Sequence, residues 1–168
     1  MSVHRAWVGL GSNLEDPEAQ VTRALEALDR LPLTRRLAAS RLYASRPVGP
    51  RDQPDFINAV ACLETRLSPL ALLDQLQALE QRHRRVRSRR WGPRTLDLDL
   101  LLFDDNRLAL PRLTLPHPEM ARRAFVVVPL LAVAPELRLP DGPRLADLEA
   151  ARPAPGTLRV LPGAPRDP

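Results

Sequence analysis

The sequence predicts an α+β fold in which strands and helices follow one another in the order β-α-β-β-α-β. Short apolar or alternating segments indicate the strands, and two longer segments with apolar residues at i, i+3, i+4 and i+7 indicate the helices. Prolines, glycines and Asp or Asn residues separate these segments. With 168 residues, of which 44% are hydrophobic and 27% charged, the chain can bury one globular core.

The first strand, the first helix and the second strand are predicted from the N-terminal part of the chain. Residues 3–10 form the first strand, which ends at a generic turn, Gly11-Ser12-Asn13. Asp16 is expected to cap the first helix, with Pro17 at its first position. The second strand is predicted over residues 35–44. The buried stripe of the helix consists of Val21, Ala24, Leu25 and Leu28.

The remaining strands and helix of the predicted order come after a loop at residues 46–55, whose prolines and glycine exclude a helix or a central strand there. The third strand covers residues 56–65, Ser68-Pro69 opens the second helix, and the fourth strand carries Asp97 and Asp99. This order predicts a ferredoxin-like antiparallel sheet with both helices packed on one face and the other face free for a ligand. The buried stripe of the second helix consists of Leu72, Leu73, Leu76 and Leu79.

C-terminal helical and edge-strand additions are expected beyond the fourth strand. We expect residues 1–152 to form a single domain and the Pro-rich tail, 153–168, to be poorly ordered, although residues 157–161 could form a strand. The additions are a mostly helical segment at 119–134 broken at Pro129, a short edge strand at 137–139 and a short helix at 144–151.

Composition limits the function classes. No apolar run approaches the roughly 20 residues of a membrane span, and no secretory leader is visible, so we expect a cytoplasmic protein without membrane contact. A single cysteine, Cys62, excludes an intrachain disulfide. All 25 basic residues are arginines, and the excess is concentrated in one segment rather than spread over a nucleic-acid-binding surface. That segment contains Arg82, Arg84, Arg85, Arg87, Arg89 and Arg90.

Asp97 and Asp99 are the strongest candidates for a functional site. Side chains alternate along a strand, so both carboxylates point to one face while Leu96, Leu98 and Leu100 point to the other. Mg²⁺ is commonly bound by one or two carboxylates together with substrate phosphates. A solvated strand face is the alternative explanation, but the neighbouring arginines favour phosphate-transfer chemistry.

A flat heterocycle could bind near Phe56 and Asn58, which share a face of the third strand. Phe125 is a further aromatic in a chain with few of them. Ordinary core packing is the alternative for each phenylalanine. His117 lies between two prolines, where it has no helix or strand role.

Six sequence blocks in order resemble the 6-hydroxymethyl-7,8-dihydropterin pyrophosphokinase family from about residue 6 to residue 140. The segment Gly92-Pro93-Arg94-Thr95-Leu96-Asp97-Leu98-Asp99 is close to diagnostic. The other blocks are 11–14, 47–49 with 53–58, 85–87, 115–118 and 123–125. Arg84 stands where the family commonly has Gly, Ser45 where it commonly has Thr, and Phe56 where it often has Tyr.

The resemblance implies transfer of pyrophosphate from ATP to the pterin hydroxymethyl oxygen, with release of AMP, in folate biosynthesis. It implies two Mg²⁺ ions, ATP as co-substrate and a monomer that binds neither nucleic acid nor a membrane. It assigns the metal ions to Asp97 and Asp99, and catalysis to Arg85, Arg94 and Asp99. The pterin would contact Val48, Gly49, Phe56, Asn58, Trp91 and Phe125. ATP would contact Gln77, Glu80, Arg87, Leu100, Arg112, Thr114, His117 and Arg123.

Two other functions fit part of the pattern. A ferredoxin-like nucleic-acid-binding domain could use the arginine-rich segment, although the chain lacks the aromatic pattern of RNA-binding sheets. Another two-carboxylate nucleotidyl transferase or phosphohydrolase would differ in its products, pyrophosphate or free phosphate instead of AMP.

Overall fold

The computed structural model describes residues 2–13, 15–46, 54–87 and 96–163, with backbone only at 84–87. The described elements, in chain order, are β1 (His4–Ser12), α1 (Pro17–Leu28), β2 (Thr34–Ala39), β3 (Tyr43–Ser45), β4 (Phe56–Thr65), α2 (Pro69–Arg87), β5 (Asp97–Phe103), β6 (Leu108–Ala109), β7 (Thr114–Leu115), α3 (Ala124–Val133) and β8 (Leu158–Val160). Six of these strands form one antiparallel sheet in the order β5-β1-β4-β3-β8, with β2 also paired to β4. Strands β6 and β7 form a separate hairpin.

Helices α1 and α2 pack on the same face of the sheet, as the sequence predicts. Their leucine stripes meet the alternate residues of the central strands, and Val8, Leu28, Leu63, Leu72 and Leu76 are fully buried there. Each such side chain contributes about 1.5–3 kcal/mol by leaving water. This core fixes which residues of β1, β4 and β5 point to the opposite face.

The opposite face is not free along its whole length, contrary to the sequence-based expectation. Helix α3 and the 3₁₀ turns Met120–Arg122 and Leu145–Asp147 cover much of it and form a second core. Trp7, Val60 and Val127 are among its buried residues. The part that the described elements leave uncovered lies at the end of the sheet where Asp97 and Asp99 point outward.

A bulge in β5 allows this strand to contribute side chains to both cores. Strand β5 shifts register against β1 between Trp7 and Val8, so that Trp7 pairs with Leu102 and Val8 with Leu100. The inserted residue allows both Leu101 and Leu102 to enter the second core, while Phe103 returns to the first. Such insertions bend a strand and re-aim its side chains.

The first residues of α1 and α2 differ in how they are capped. The Oγ of Ser68 accepts a hydrogen bond from the N–H of Ala71 at 3.2 Å, so Ser68 caps α2 as predicted. Asp16 precedes α1, with Pro17 at its first position, but it makes no side-chain capping bond. Its φ of 62° is left-handed, and Glu15 before it has a φ of 51°. Asp16 therefore occupies the predicted N-cap position but does not cap the helix, because a capping side chain requires an extended rather than a left-handed backbone.

The predicted second strand is two strands. Strand β2 ends at Ala39, and β3 begins at Tyr43, with one extra residue in the segment between them relative to β4. The hydroxyl of Ser40 accepts from the N–H of Val60 at 3.0 Å, which holds this irregular segment against β4. The polar pair Ser40-Arg41 within this run was too weak a signal to predict the interruption.

The helical segment after residue 119 also differs from the expectation. Pro129 lies inside α3 and does not end it, because a proline in the second turn removes only one bond of the helix while its ring is buried. The predicted edge strand at 137–139 is reduced to one bridge between Arg138 and Arg144. The predicted helix at 144–151 is two 3₁₀ turns, Leu145–Asp147 and Glu149–Ala151.

The strand that the sequence allowed at 157–161 is present as β8, paired to β3. Whether the Pro-rich segment beyond residue 152 behaves as a separate tail stays a prediction. In the described ranges, none of the helices combines the length and apolar character of a membrane crossing.

Cys62 is expected to be unreactive in the folded protein. It is buried in the second core, and burial raises the pKa of its thiol to about 11 from an ordinary 9.0. A two-unit shift lowers the thiolate fraction near pH 8 by about 100-fold. Ellman's reagent should label the native protein at least about 100-fold more slowly than the same protein in denaturant. Equal rates would show that the second core opens readily.

Candidate active site

A cleft of about 530 Å³ occupies the uncovered end of the second face. Glycines of β1, an aromatic and an amide of β4, the carboxylates of β5, and an arginine and an aromatic at the start of α3 line it, together with residues of β3 and β8. Six predicted site residues therefore meet in one cleft: Phe56, Asn58, Asp97, Asp99, Arg123 and Phe125.

The two carboxylates lie opposite two glycines of β1. Asp97 pairs with Gly11 and Asp99 with Gly9. A Cβ at Gly11 would lie 3.1 Å from Nδ2 of Asn58, so any larger residue would press on that amide. Gly11 is thus part of strand β1 and of the cleft floor, and the prediction that it forms a generic turn is wrong. A glycine inside a strand often marks such a close approach.

Asn58 is held by Ser45. The Ser45 hydroxyl donates to Oδ1 of Asn58 at 2.6 Å, and both residues are buried. This bond fixes the orientation of the Asn58 amide. Its oxygen accepts from Ser45, so its Nδ2 group, which can donate, lies on the opposite side. Asn58 can therefore read one polar edge of a bound molecule.

Removing the Ser45 hydroxyl should weaken acceptor binding. For Ser45→Ala we expect KM for the heterocyclic substrate to rise about 5- to 13-fold, since a neutral buried hydrogen bond contributes about 1–1.5 kcal/mol. Ser45→Thr keeps the hydroxyl and should stay near wild type. Steady-state kinetics with each substrate varied in turn would measure this. An unchanged KM in Ser45→Ala would mean that Asn58 needs no such support.

Phe56 and Phe125 come from different elements. Phe56 is the first residue of β4, and Phe125 lies in the first turn of α3. Both are half-buried and line the cleft, so each keeps part of its ring available to a ligand. The guanidinium of Arg123 lies 5.6 Å from the centre of the Phe125 ring. An aromatic pair on opposing elements suits a flat ring system between them.

Arg123 also connects the aromatic side of the cleft to the carboxylates. Its Nη1 lies 3.8 Å from Oδ2 of Asp99. His117 lies in the same charged neighbourhood, and burial lowers its pKa, opposed by the negative charge of Asp99. The Nδ1 of His117 accepts from the N–H of Glu119 at 3.1 Å, which fits a neutral ring with its proton on Nε2.

Several predicted ATP-binding residues lie along the outer edge of β5 or on the elements packed beside it. Glu80 accepts from the N–H of Leu98 at 2.7 Å. The N–H of His117 donates to the carbonyl of Leu101 at 2.9 Å. Arg112 donates to Gln77 at 3.0 Å and to Asp74 at 2.6 Å. These contacts lie along the outer edge of β5, whereas the side chains of Asp97 and Asp99 point from the same strand into the cleft.

Two further predicted ATP-binding residues are placed by the strands. The side chain of Leu100 is buried in the helix-side core, so only its backbone can meet a ligand. Because Leu98 directs its N–H toward Glu80, alternation places the backbone N–H and C=O of Leu100 on the same outer edge. Thr114 is exposed at the start of β7, opposite Ala109.

The remaining predicted site residues are Val48, Gly49, Trp91 and Arg94, which lie outside the described residues, and Arg85 and Arg87, whose side chains are not described.

Oxygen ligands suit a hard divalent cation in this cleft. Asp97 and Asp99 face the same space, and their two carboxylates match the small protein contribution that Mg²⁺ needs when phosphates and water complete its coordination. Within the described ranges, no group of three or more His, Cys, Asp or Glu side chains could hold a metal alone. The donor set therefore fits a substrate-bridged Mg²⁺ rather than a metal bound by protein ligands only.

Sequence reasoning missed several residues of the cleft. Gly9 and Gly11 carried a weak signal, since both interrupt an apolar strand. Ser45 appeared only as a departure from a family pattern. Arg46, Thr157 and Leu158 carried no signal for a site. Thr157 and Leu158 reach the cleft only because β8 pairs with β3.

A family model described as 7,8-dihydro-6-hydroxymethylpterin-pyrophosphokinase (HPPK) matches residues 7–135. The match spans the sheet from β1 to β5 and helix α3, and it ends before β8.

Named relatives agree with the family model. The chain is 57% identical over 162 residues to the 2-amino-4-hydroxy-6-hydroxymethyldihydropteridine pyrophosphokinase of Pseudomonas aeruginosa, covering 96% of this chain and 99% of the relative. It is 50% identical over 143 residues to the Haemophilus influenzae protein of the same name, covering 85% of this chain and 89% of the relative. A solved wild-type Plasmodium falciparum HPPK-DHPS with pterin and p-hydroxybenzoate has the same fold, with a TM-score of 0.61, 13% identity and coverage of 82% of this chain and 41% of that one.

Proposed function

The chain belongs to the 7,8-dihydro-6-hydroxymethylpterin pyrophosphokinase family, and on this premise we propose that the cleft beside Asp97 and Asp99 is its active site. The enzyme transfers pyrophosphate from ATP to the hydroxymethyl oxygen of 6-hydroxymethyl-7,8-dihydropterin in folate biosynthesis. One observation carries the proposal: an aromatic pair with an oriented amide shares a cleft with two carboxylates.

We propose that the acceptor binds on the aromatic side of this cleft. Phe56 and Phe125 would contact the two faces of the pterin, and Asn58 would donate to its polar edge. The half-buried rings and the fixed Ser45–Asn58 bond support this placement. Val48, Gly49 and Trp91 are proposed as further pterin contacts on the basis of family resemblance.

The carboxylates are proposed to hold Mg²⁺ on the triphosphate. Asp97 and Asp99 would each supply oxygen ligands to two ions, with ATP phosphates and water as the other ligands. When bound, these ions would neutralise the triphosphate and lower the pKa of the acceptor hydroxyl. Their number is part of the proposal, and a titration of Mg²⁺ binding in the presence of a nucleotide analogue would measure it.

The transfer itself is a substitution at the β-phosphorus. The hydroxymethyl oxygen forms a bond to that phosphorus, the bridge to the α-phosphate breaks, and AMP leaves with the bridging oxygen. The hydroxyl proton must be removed, and we propose that the carboxylate of Asp99, which faces the cleft, takes it. Arg85 and Arg94 are proposed to stabilise charge on the transferred group.

ATP is proposed to bind along the outer edge of β5. The backbone of Leu100 would meet the adenine, and the polar groups beside this edge would contact the ribose and phosphates. Those proposed contacts are Gln77, Glu80, Arg87, Arg112, Thr114, His117 and Arg123. The position of Arg123 supports its part, since a cation next to Asp99 can also reach a phosphate that approaches that carboxylate.

The alternative of a nucleic-acid-binding sheet receives no support from the fold. RNA-binding sheets of this type stack bases on an open face. Here both faces carry packed cores, and the open end holds two carboxylates that would repel phosphate in the absence of a cation.

We further propose that the enzyme acts as a cytoplasmic monomer. One copy of the chain supplies the carboxylates, the amide and the aromatic pair of the described cleft, which supports the monomer. Analytical ultracentrifugation at working concentration measures the oligomeric state, and activity that increases with association would contradict the proposal.

The deciding assay mixes protein, Mg-ATP and 6-hydroxymethyl-7,8-dihydropterin and measures AMP. We expect AMP and the pterin diphosphate in equal amounts, with no AMP when the pterin is omitted. Formation of pyrophosphate or free phosphate instead would identify a different two-carboxylate enzyme.

A further inference from the structure

Strand β8 lies outside the part of the chain that the family model matches, yet it belongs to the main sheet. It pairs with β3, with Ser45 opposite Leu158 and Tyr43 opposite Val160. Just after it, the N–H of Leu161 donates to the carbonyl of Leu42 at 2.8 Å. The C-terminal segment is therefore fixed along the whole length of β3.

A tight turn determines where β8 begins. In the sequence Ala154-Pro155-Gly156-Thr157, the N–H of Thr157 donates to the carbonyl of Ala154 at 3.2 Å, and Gly156 has a φ of 84°. Pro followed by a residue of positive φ is the pattern of a type II turn, in which glycine is favoured at the third position. The Thr157 hydroxyl donates to the same carbonyl at 2.7 Å. This turn directs the chain back along the cleft.

The strand register places Leu158 in line with the proposed acceptor site. Phe56 pairs with Ser45, and Ser45 pairs with Leu158, so these three residues form one row on the face that carries the cleft. Two strand spacings separate the ends of the row by about 10 Å. Thr157 and Leu158 line the cleft together with Ser45 and Phe56.

The position of β8 also explains why the Ser45–Asn58 hydrogen bond is buried. Strand β3 would be the edge of the sheet without β8, and Ser45 would then face water on its outer side. With β8 in place, Ser45 is only 6% exposed. A hydrogen bond in such a shielded position is stronger and fixes its partners more firmly than the same bond in water.

We propose that β8 is a wall of the pterin site and that Leu158 is a positioning residue for the acceptor. Its apolar side chain would exclude water from the outer side of the Ser45–Asn58 pair and limit the sideways movement of the bound heterocycle. The proposal rests on the proposed function of the cleft, and it adds a C-terminal determinant of pterin affinity that the matched region, residues 7–135, does not contain.

The test compares Leu158→Ala with Val160→Ala in the full-length enzyme. Val160 lies on the same strand and the same face, is 45% exposed and does not line the cleft. For Leu158→Ala we expect KM for 6-hydroxymethyl-7,8-dihydropterin to rise about 3- to 10-fold, the effect of removing part of a half-buried apolar side chain. Both kcat and KM for ATP should stay within about two-fold. Val160→Ala should match wild type in all three constants.

Further measurements distinguish the possible failures. Leu158→Met keeps the apolar volume and should restore the pterin KM. Equal kinetics of Leu158→Ala and Val160→Ala, or a loss in kcat and ATP KM together with a lower melting temperature, would overturn the role of β8. If Leu158→Ala does not fold, Leu158→Gln and Leu158→Met provide the same comparison. A wild-type enzyme that forms no AMP would instead refute the proposed function.

Discussion

Replacing Asp97 or Asp99 by asparagine is expected to lower kcat for AMP formation by at least about 1,000-fold while leaving the fold intact. An asparagine has nearly the same size but carries no charge, so it cannot hold a divalent cation against a triphosphate. Both side chains face the cleft from β5, and neither belongs to the apolar cores. The loss should therefore fall on catalysis rather than on folding.

Stability and metal binding provide independent readouts of that prediction. The melting temperature of each variant should lie within about 3 °C of wild type, since neither side chain belongs to the apolar cores. Calorimetric binding of Mg²⁺ together with a non-hydrolysable ATP analogue should be weakened in both variants. Asp105→Asn, in the exposed turn after β5, is the matched control and should retain full activity. Near-normal turnover of either cleft variant would contradict the metal-site assignment.

The second large effect is expected from the aromatic pair. For Phe56→Ala and for Phe125→Ala, KM for the pterin should rise about 10- to 100-fold, because a stacked ring of this size contributes about 1–3 kcal/mol of burial and ring contact. KM for ATP should change less than about three-fold. The ATP site is proposed at the outer edge of β5, away from both rings.

Conservative variants separate ring contact from general packing. Phe56→Tyr keeps the ring and should retain wild-type pterin affinity, whereas Phe125→Leu keeps apolar volume without a ring and should show an intermediate loss. Fluorescence titration of the pterin in the presence of the ATP analogue would measure affinity directly. Equal increases in KM for pterin and ATP would mean that the rings support the whole site rather than the acceptor.

Local sequence signals predicted most of the regular elements. Strand β4 has the predicted bounds, because its apolar run is delimited by charged residues at both ends. Helix α2 begins after its predicted cap at Ser68. Asp16 shows the limit of such signals: a favourable capping residue cannot cap when the preceding chain reversal gives it a left-handed backbone.

Contacts between distant parts of the chain could not be predicted in the same way. Alternation showed that Asp97 and Asp99 share a face, but not that glycines of β1 lie opposite them. The Ser45–Asn58 bond and the position of Leu158 depend on the register of β3 against two different strands. Pairing over more than 100 residues, as between β3 and β8, leaves no periodic trace in either segment.

The bulge in β5 means that this strand contains one residue more than plain alternation requires. Strict alternation from Asp97 would place Phe103 on the same face as both carboxylates, whereas the bulge returns it to the opposite core. Any of the three leucines before Phe103 could be exchanged for another apolar residue at modest cost. Deleting one of them would remove the bulge, and plain alternation would then keep Asp97 and Asp99 on the cleft face and Phe103 in the opposite core. The loss of one leucine should therefore reduce the apolar area buried in the second core without reversing the carboxylates or Phe103.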